Sequence, residues 1–192
     1  CNFYSERDTR IRVFHKKNEG VSSARNIGII NAKGKWLCFI DADDYILPNA
    51  LLTFFENSYD TDWVLANSYR LEENRKNLIY SWKDKDFIVD LLKIKHFALW
   101  GYLFNASIIK AKKILFNENL AYSEDRLFIL QYAIFSNSLF FLAEPIYVYR
   151  IHNNSVCKSN NGLKKAKHQF YAANQISLLA NSYKNLSKNK YN

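Results

Sequence analysis

A run of apolar residues that ends abruptly in a cluster of carboxylates constrains this chain more than any other feature. Residues 36–40 (WLCFI) are all apolar, which is the pattern of a short strand buried on both faces of a sheet. Asp41, Asp43 and Asp44 follow directly. Three carboxylates at the end of a buried strand repel one another and are costly to desolvate. A fold tolerates them there if the site is wet or if a cation is bound.

Two interpretations of this carboxylate cluster stay open from the residues alone. In the first, the alternating side chains turn to one side of a loop and hold a divalent cation, which takes oxygen ligands and leaves positions open for phosphate oxygens. In the second, the segment DADD is an acidic turn whose side chains cap a helix that begins at Pro48.

The order of the predicted elements around the cluster indicates an α/β fold with a mainly parallel, Rossmann-like sheet flanked by helices. Ligands of such sheets bind outside the carboxyl ends of the strands, which is where the cluster lies. The predicted elements of this half are strands at 10–16, 36–40 and 62–69, a helix at 21–32, and a helix at 48–59 with Leu51, Leu52, Phe54 and Phe55 on its buried face.

The second half of the chain is predicted to be mostly helical. Residues 70–83 are polar and are expected to be irregular. Ser123 is expected to cap a helix that has Glu124 and Asp125 in its first turn. The predicted elements are helices at 85–95, 107–115, 123–136 and 162–183, strands at 139–142 and 146–150, and a packing face on the last helix made of Leu163, Ala166, Phe170, Ala173, Ser177 and Ala180.

Composition limits the class of protein and its surroundings. The chain has 192 residues, of which 48% are hydrophobic, and this suits one domain with a substantial core. Its net charge of +9 suits an anionic partner. Three widely spaced cysteines indicate a reducing compartment, and no apolar run is long enough to cross a membrane. We therefore expect a cytoplasmic protein, with a peripheral contact at the inner face of the membrane.

Four segments spread along the chain follow one known pattern. They are GVSSARNIGIINAKGKWLCFIDADD, LWGYLFNASII, FNENLAYSEDRLF and YVYRIHNNSV. Together they resemble the inverting family 2 glycosyltransferases, which have the GT-A fold. The resemblance covers residues 1–156 as a partial GT-A domain and leaves residues 157–192 as a basic C-terminal helical tail.

The resemblance implies transfer of a sugar from a nucleotide-diphosphate donor to an acceptor hydroxyl with inversion, in the synthesis of cell-surface polysaccharide or another glycan. The acceptor would be a glycan or a lipid-linked molecule. Asp43 would be the direct ligand of Mg or Mn, with Asp41 toward the ribose or a metal-bound water and Asp44 adjacent. Asp125 would be the general base that takes the acceptor proton.

The remaining site residues are also carried over from the family pattern. Arg25 and Asn26 would be donors near the nucleotide, and Glu124 would accompany the base. Trp100 and Gly101 would shape the sugar pocket, and Arg150 and His152 would lie on a segment that closes over the diphosphate. Each residue also has a structural interpretation, because surface arginines, core tryptophans and acidic residues in first helical turns are common.

The chain departs from the family pattern at its start. The family begins with a strand, a helix and a second strand that ends in Asp-Asp-Gly-Ser, and this chain begins at Cys1 and has no methionine. The resemblance therefore implies a GT-A sheet without its first strands. We expect a fragment that binds sugar nucleotide weakly and exposes unpaired sheet edges.

Other classes of function compete with this interpretation. The chain could be a non-catalytic GT-A-like remnant that acts as a binding or interaction module. A haloacid-dehalogenase phosphatase is disfavoured by Tyr45. Nucleic-acid binding is disfavoured because Phe170, Tyr171 and Tyr183 lie at packing spacing and do not alternate with lysines. A contact between the basic tail and anionic lipid is the better use of its charge.

Overall fold

The computed structural model of the protein describes residues 1–72, 75–79, 98–151 and 162–190, and in the last range the side chains of residues 162–179 and 181. The helix predicted at 85–95 and the site residue His152 lie outside the described residues. The helices are α1 (Asn2–Ser5), α2 (Val21–Asn31), α3 (Ala50–Glu56), α4 (Ala106–Ala111), α5 (Glu124–Phe135) and α6 (Gly162–Lys190). The strands are β1 (Trp36–Leu37), β2 (Tyr45–Ile46), β3 (Trp63–Glu72), β4 (Arg75–Ile79), β5 (Tyr102–Asn105) and β6 (Leu139–Arg150).

The strands form one mixed sheet in the order β1-β5-β3-β6-β2, with β4 paired to β3. Only β3 and β6 pair in parallel among the described strands, so the prediction of a mainly parallel sheet was wrong. Strands β1 and β3 do point the same way, as the strand–helix–strand order predicted. The later strand β5 lies between them and is antiparallel to both, and it takes the hydrogen bonds that a parallel pair would have made.

The long pair β3 and β6 forms the centre of the sheet. It runs from Trp63 opposite Leu139 to Leu71 opposite Arg150, with register shifts around Asn67. Ala143 has no partner residue on β3 at the shift. The Asn67 side-chain amide donates to its carbonyl at 2.7 Å. The two strands predicted at 139–142 and 146–150 are therefore one strand. The segment expected to be irregular at 70–83 includes the end of β3 and its antiparallel partner β4.

Alternating side chains of β3 supply two cores on the two faces of the sheet. Trp63 and Leu65 join the larger core, where the sheet packs against α2, α4, α5 and α6. Val64 and Ala66 join the smaller core, which is closed by Ala50 and Phe54 of α3. The larger core is rich in aromatic rings at contact distance, among them Phe104, Phe116, Phe128 and Tyr132.

Three local predictions from the first half of the chain were wrong. Residues 10–16 pair with no strand of the described sheet. The regular part of the strand at 36–40 is only Trp36–Leu37, and the segment is half-buried rather than buried, with Ile40 46% exposed. On α3 the buried side chains are Ala50 and Phe54, spaced one turn apart, so the other three residues of the predicted face point outward: Leu51, Leu52 and Phe55.

The C-terminal helix α6 packs on the domain through a different face from the one predicted. Ala172 and Ile176 are buried in the larger core, with Leu179 against it, whereas Leu163 and Phe170 are 73% and 70% exposed. The predicted packing residues Ala166, Ala173 and Ser177 are also exposed, and the Ala180 side chain is not described. The predicted face is about one residue out of phase with the buried face, and at about 100° per residue this turns the predicted set away from the domain. No helix within the described ranges combines the length and hydropathy needed to cross a bilayer.

Replacing Ile176 by alanine should lower the free energy of unfolding by about 2–4 kcal/mol, because it leaves a cavity between α6 and the core. The matched control is Leu178→Ala on the exposed side of the same helix, which should cost less than about 0.5 kcal/mol. Urea unfolding followed by tryptophan fluorescence measures both. Equal effects of the two substitutions would show that α6 is not part of the core.

Candidate active site

Arg25 connects the loop that carries Asp41, Asp43 and Asp44, called the acidic loop below, to the start of α5. It projects from α2, and its two terminal nitrogens donate to different carboxylates: Nη2 to Asp41 Oδ1 at 2.8 Å and Nη1 to Glu124 Oε1 at 3.2 Å. The Arg25 side chain is only 14% exposed, and its guanidinium lies 5.4 Å from the centre of the Phe116 ring. One guanidinium therefore brings together two acidic segments that are far apart in sequence.

Helix α2 is fixed in position by polar contacts of its neighbouring side chains. Asn26, 5% exposed, donates from Nδ2 to the Phe116 carbonyl at 3.0 Å and to Glu118 Oε1 at 2.9 Å, and it accepts from the Phe116 N–H at 2.8 Å. Ser22 donates to the Leu120 carbonyl. These contacts give Asn26 a role in holding the 116–120 segment. Its role as a hydrogen-bond donor near the nucleotide stays a prediction.

The acidic loop is a tight turn that is anchored by the end of β6. The Asp44 N–H donates to the Asp41 carbonyl at 3.1 Å. The Tyr147 hydroxyl accepts from the Asp41 N–H at 3.1 Å and donates to Asp44 Oδ2 at 2.7 Å. The Arg150 N–H donates to Asp44 Oδ1 at 2.8 Å, and the Arg150 Nε–H donates to the Asp43 carbonyl. Both carboxylate oxygens of Asp44 are therefore used to hold the loop.

The alternative in which these aspartates cap the following helix does not describe the structure. Helix α3 begins at Ala50, and its N-cap residue is Asn49, which makes no side-chain capping hydrogen bond. Ser123 likewise precedes α5 with a left-handed φ of 63° and no side-chain capping bond, so its predicted capping role was wrong.

Burial raises the pKa of the Asp44 carboxyl, the charges of Asp43 and Asp41 raise it further, and the bonds from Arg150 and Tyr147 oppose the rise.

Trp100 lies against two tyrosines of β6. Its ring stacks on Tyr147 at 5.4 Å and on Tyr149 at 5.6 Å, measured between ring centres. Gly101 follows with φ of +83°, and a Cβ there would meet the Ala66 carbonyl oxygen at 3.1 Å. Any other residue here would strain the backbone and crowd β3, so the position favours glycine. Trp100 and Gly101 therefore lie beside Tyr147, which also holds the acidic loop.

Asp125 occupies the first turn of α5, next to the residue that Arg25 binds. Desolvation by burial raises the pKa of Asp125 to about 6, the charge of Glu124 adds to the rise, and the Arg126 N–H and the charge of Arg25 oppose it. Burial raises the pKa of Tyr102, and the charge of Asp125, which lies near this buried phenol, raises it further. Asp125 is thus ionised at neutral pH while its proton affinity is higher than that of an ordinary aspartate.

The predicted site residues fall into two connected groups. Arg25, Asp41 and Glu124 are in direct contact, with Asp125 adjacent in sequence. Arg150, Asp43 and Asp44 are joined to Tyr147 and through it to Trp100. Tyr147 was not identified from the sequence. Its signal is the alternation in YVYR, but which tyrosine faces the loop depends on the register of β6.

The carboxylates of the acidic loop differ in how far they are available to a divalent cation. No group of three or more His, Cys, Asp or Glu side chains within the described residues is arranged to hold a metal. Asp44 is used by Tyr147 and Arg150, whereas Asp43 is exposed and Asp41 keeps 38% of its side-chain surface exposed. Mg²⁺ is commonly bound by one or two carboxylates together with water and substrate phosphates. One oxygen of Asp41 is bonded to Arg25, and the assignment of Asp43 and Asp41 as ligands of a cation that phosphates also bind stays a prediction.

Comparison with known proteins identifies the family. The sequence model of the family described as "Glycosyl transferase family 2" matches residues 1–117. EpsH of Bacillus subtilis is 31% identical over 166 residues, which cover 80% of this chain and 48% of EpsH. Glycosyltransferase GlyG of Streptococcus pneumoniae is 27% identical over 183 residues, which cover 87% of this chain and 61% of GlyG. The chain belongs to glycosyltransferase family 2, as its motifs predicted, and it spans less than two thirds of the length of these relatives.

Solved structures show the same fold. S. aureus TarS 1-349 in complex with UDP aligns with a TM-score of 0.61 at 18% identity, covering 84% of this chain and 45% of that chain. The complex of the same protein with UDP-GlcNAc aligns with a TM-score of 0.60 at 18% identity, covering 76% and 43%. At this identity the likeness shows the fold alone.

Replacing Tyr147 by phenylalanine should lower the free energy of unfolding by about 1–3 kcal/mol, because the Asp41 N–H and one oxygen of Asp44 lose their partner. The aromatic ring stays in place against Trp100, so only the hydroxyl is tested. Tyr45→Phe, at an exposed tyrosine of β2, is the control and should cost less than about 0.5 kcal/mol. Urea unfolding measures both, and an unchanged stability of Tyr147→Phe would contradict the anchoring role.

Replacing Asp125 by asparagine should stabilise the chain increasingly as the pH rises. The folded pKa of Asp125, about 6, lies above its ordinary value. The folded state therefore binds the proton more tightly, and the wild type loses stability as the pH rises through 6. Asparagine cannot ionise, so the difference between variant and wild type should grow by about 2 kcal/mol between about pH 4 and pH 8.

Thermal and urea unfolding across this pH range test the prediction. The control is Glu56→Gln, at an exposed carboxylate of α3, and Asp125→Asn should gain more stability than this control between about pH 4 and pH 8. A gain no larger than that of the control would show that Asp125 is not held in a desolvated position.

Proposed function

We propose that this chain contributes to a metal-dependent, inverting transfer of a sugar from a nucleotide-diphosphate donor to an acceptor hydroxyl. The observation that carries the proposal is the Arg25 bridge, which joins the acidic loop and the Asp125 turn in one site. Such a transfer needs two groups near one another: a place for the diphosphate leaving group and a carboxylate base for the acceptor. The two ends of the bridge supply them.

Asp125 is the proposed base. The acceptor oxygen forms a bond to the anomeric carbon as the bond from that carbon to the diphosphate breaks, and the hydroxyl proton passes to the Asp125 carboxylate. A carboxylate with pKa of about 6 is ionised at neutral pH and accepts a proton more readily than an ordinary aspartate. Residue 125 lies outside the matched range 1–117, so this role rests on the geometry and on the sequence motif.

The acidic loop is the proposed site of the diphosphate. When bound, a divalent cation there offsets the charge that develops on the leaving group. Asp43 and Asp41 would hold the cation, and Arg150, which already contacts the loop, would add a positive charge over the phosphates. Asp44 keeps the loop in shape. Trp100 offers an aromatic face to the sugar, and Gly101 lets the backbone pass close to β3.

A uridine nucleotide is the donor to test first. TarS has been solved with UDP and with UDP-GlcNAc, and it shares this fold. The sugar, the acceptor and a role in cell-surface polysaccharide stay predictions, as does location at the inner face of the membrane. The contact surface for the acceptor would lie along the described segment 98–122, between Trp100 and the Asp125 turn.

The proposal predicts that two isosteric substitutions lose different properties, one donor binding and the other sugar transfer. Both are made in the protein expressed from the longest reading frame that contains this chain. Asp43→Asn should weaken Mn-dependent binding of a uridine-diphosphate sugar by at least tenfold, because it removes a cation ligand. Asp125→Asn should bind the donor within about threefold of wild type but lose at least about a hundredfold in transfer, the usual size of a general-base contribution. Calorimetry and release of UDP measure the two effects.

The control is Asp60→Asn, at an exposed aspartate remote from both motifs in sequence, which should change neither quantity. If Asp43→Asn and Asp125→Asn lose binding and transfer equally, the separate roles are wrong. If the wild type binds a sugar nucleotide but never transfers, the chain serves as a binding module of the same fold.

A further inference from the structure

The outer face of α6 carries an aligned set of exposed apolar side chains. Leu163, Phe170, Tyr171 and Leu178 are 73%, 70%, 45% and 61% exposed, and we call them the exposed arc. At about 100° per residue they fall within an arc of roughly 100° that extends about 22 Å along the helix. The side chains that pack on the domain, Ala172 and Ile176, lie on the opposite side. Single exposed apolar residues are ordinary, but an aligned set on a helix whose other face is already buried is not.

The charge around the exposed arc has a single sign. Lys167 lies within it, Lys164 lies at its edge, and both side chains are exposed. No Asp or Glu follows Glu144 anywhere in the sequence, so nothing on this helix offsets the lysines. Leucine and phenylalanine bordered by lysine, without acidic residues, is the composition of helices that lie in the interface of anionic membranes. A partner surface of negative charge with an apolar layer beneath it matches this pattern.

The exposed arc belongs to a helix that contacts the segment leading into the candidate active site. The Ala121 N–H donates to His168 Nδ1 at 2.9 Å, and the Tyr122 ring meets the His168 ring edge-on at 6.0 Å. Glu124 and Asp125 begin α5 directly after this segment. A surface bound by the first turns of α6 is therefore coupled to the turn that carries the proposed base.

We propose that the exposed arc of α6 docks the protein on an anionic lipid surface, with Phe170 and its apolar neighbours entering the headgroup region and Lys164 and Lys167 meeting lipid phosphates. If the proposed transfer is correct, docking also presents the Asp125 turn to a lipid-linked acceptor. Only this second consequence rests on the proposed function. Membrane binding itself is measured without any sugar nucleotide, so the two proposals fail independently.

Vesicle flotation of the 192-residue chain tests the docking. Wild type should float with vesicles that contain about 30% phosphatidylglycerol, should stay behind with phosphatidylcholine alone, and should be released at about 0.5 M salt. Lys164→Glu with Lys167→Glu should weaken binding by at least about 25-fold, since each lysine near such a surface is worth about fivefold. Phe170→Ser with Leu178→Ser should weaken it by at least tenfold.

Two matched pairs control for charge and for hydrophobicity elsewhere on the surface. Lys17→Glu with Lys33→Glu makes the same charge change at exposed lysines outside α6, and Leu51→Ser with Phe55→Ser removes exposed apolar groups from α3. Both should bind within threefold of wild type, and circular dichroism should show all four variants folded.

The proposal is overturned if the wild type does not float with anionic vesicles, or if the control pairs lose as much binding as the arc pairs. It is also overturned if the arc variants keep floating while gel filtration shows that they convert a wild-type dimer to a monomer. The exposed arc would then be a contact between two copies of the chain.

Discussion

The ion pairs of Arg25 are the interaction on which the arrangement of the site depends. Asp41, Asp43 and Asp44 lie in one loop and Glu124 and Asp125 begin one helix, so the fold places two groups of negative charge near each other. Without a cation between them the two groups would repel. Arg25 is only 14% exposed and pairs with one carboxylate from each group. A guanidinium suits this position because its fixed, planar set of donors can face two carboxylates at once and it stays charged at any working pH.

The rest of the molecule holds the two ends of this bridge still. On one side, Asn26 and Ser22 tie α2 to the 116–120 segment, so Arg25 projects from a helix that cannot rotate. On the other side, Tyr147 and Arg150 hold the acidic loop from the end of β6. Because these anchors belong to a helix with one buried face and to the central strand pair, the site is preorganised by packed elements. At the α5 end of the bridge, burial raises the pKa of Asp125 to about 6, and the charge of Glu124 adds to the rise.

The sequence predicted several helices and the acidic turn, but it predicted strand pairing and the buried faces of helices poorly. Helix α2 and the acidic turn follow from spacing and from the residues that border them, and α5 begins where the motif predicted although Ser123 does not cap it. The position of β5 between β1 and β3 does not, because strand order is set by tertiary packing. Tyr147 was missed for a related reason: two shifts of register, one on each side of Asn67, decide which β6 side chains face the loop. On α6 the predicted face, which includes Phe170, lies about one residue out of phase with the buried face of Ala172 and Ile176.

The central claim is that Arg25 energetically couples the acidic loop to the α5 turn, and a double-mutant cycle between Arg25 and Glu124 tests it most directly. Urea unfolding of Arg25→Met, Glu124→Ala and the double variant gives the coupling free energy. The hydrogen-bonded, largely buried pair predicts that the double variant loses at least about 1 kcal/mol less than the sum of the single losses. Single losses that add to within about 0.3 kcal/mol would contradict the claim, because the two side chains would then act independently.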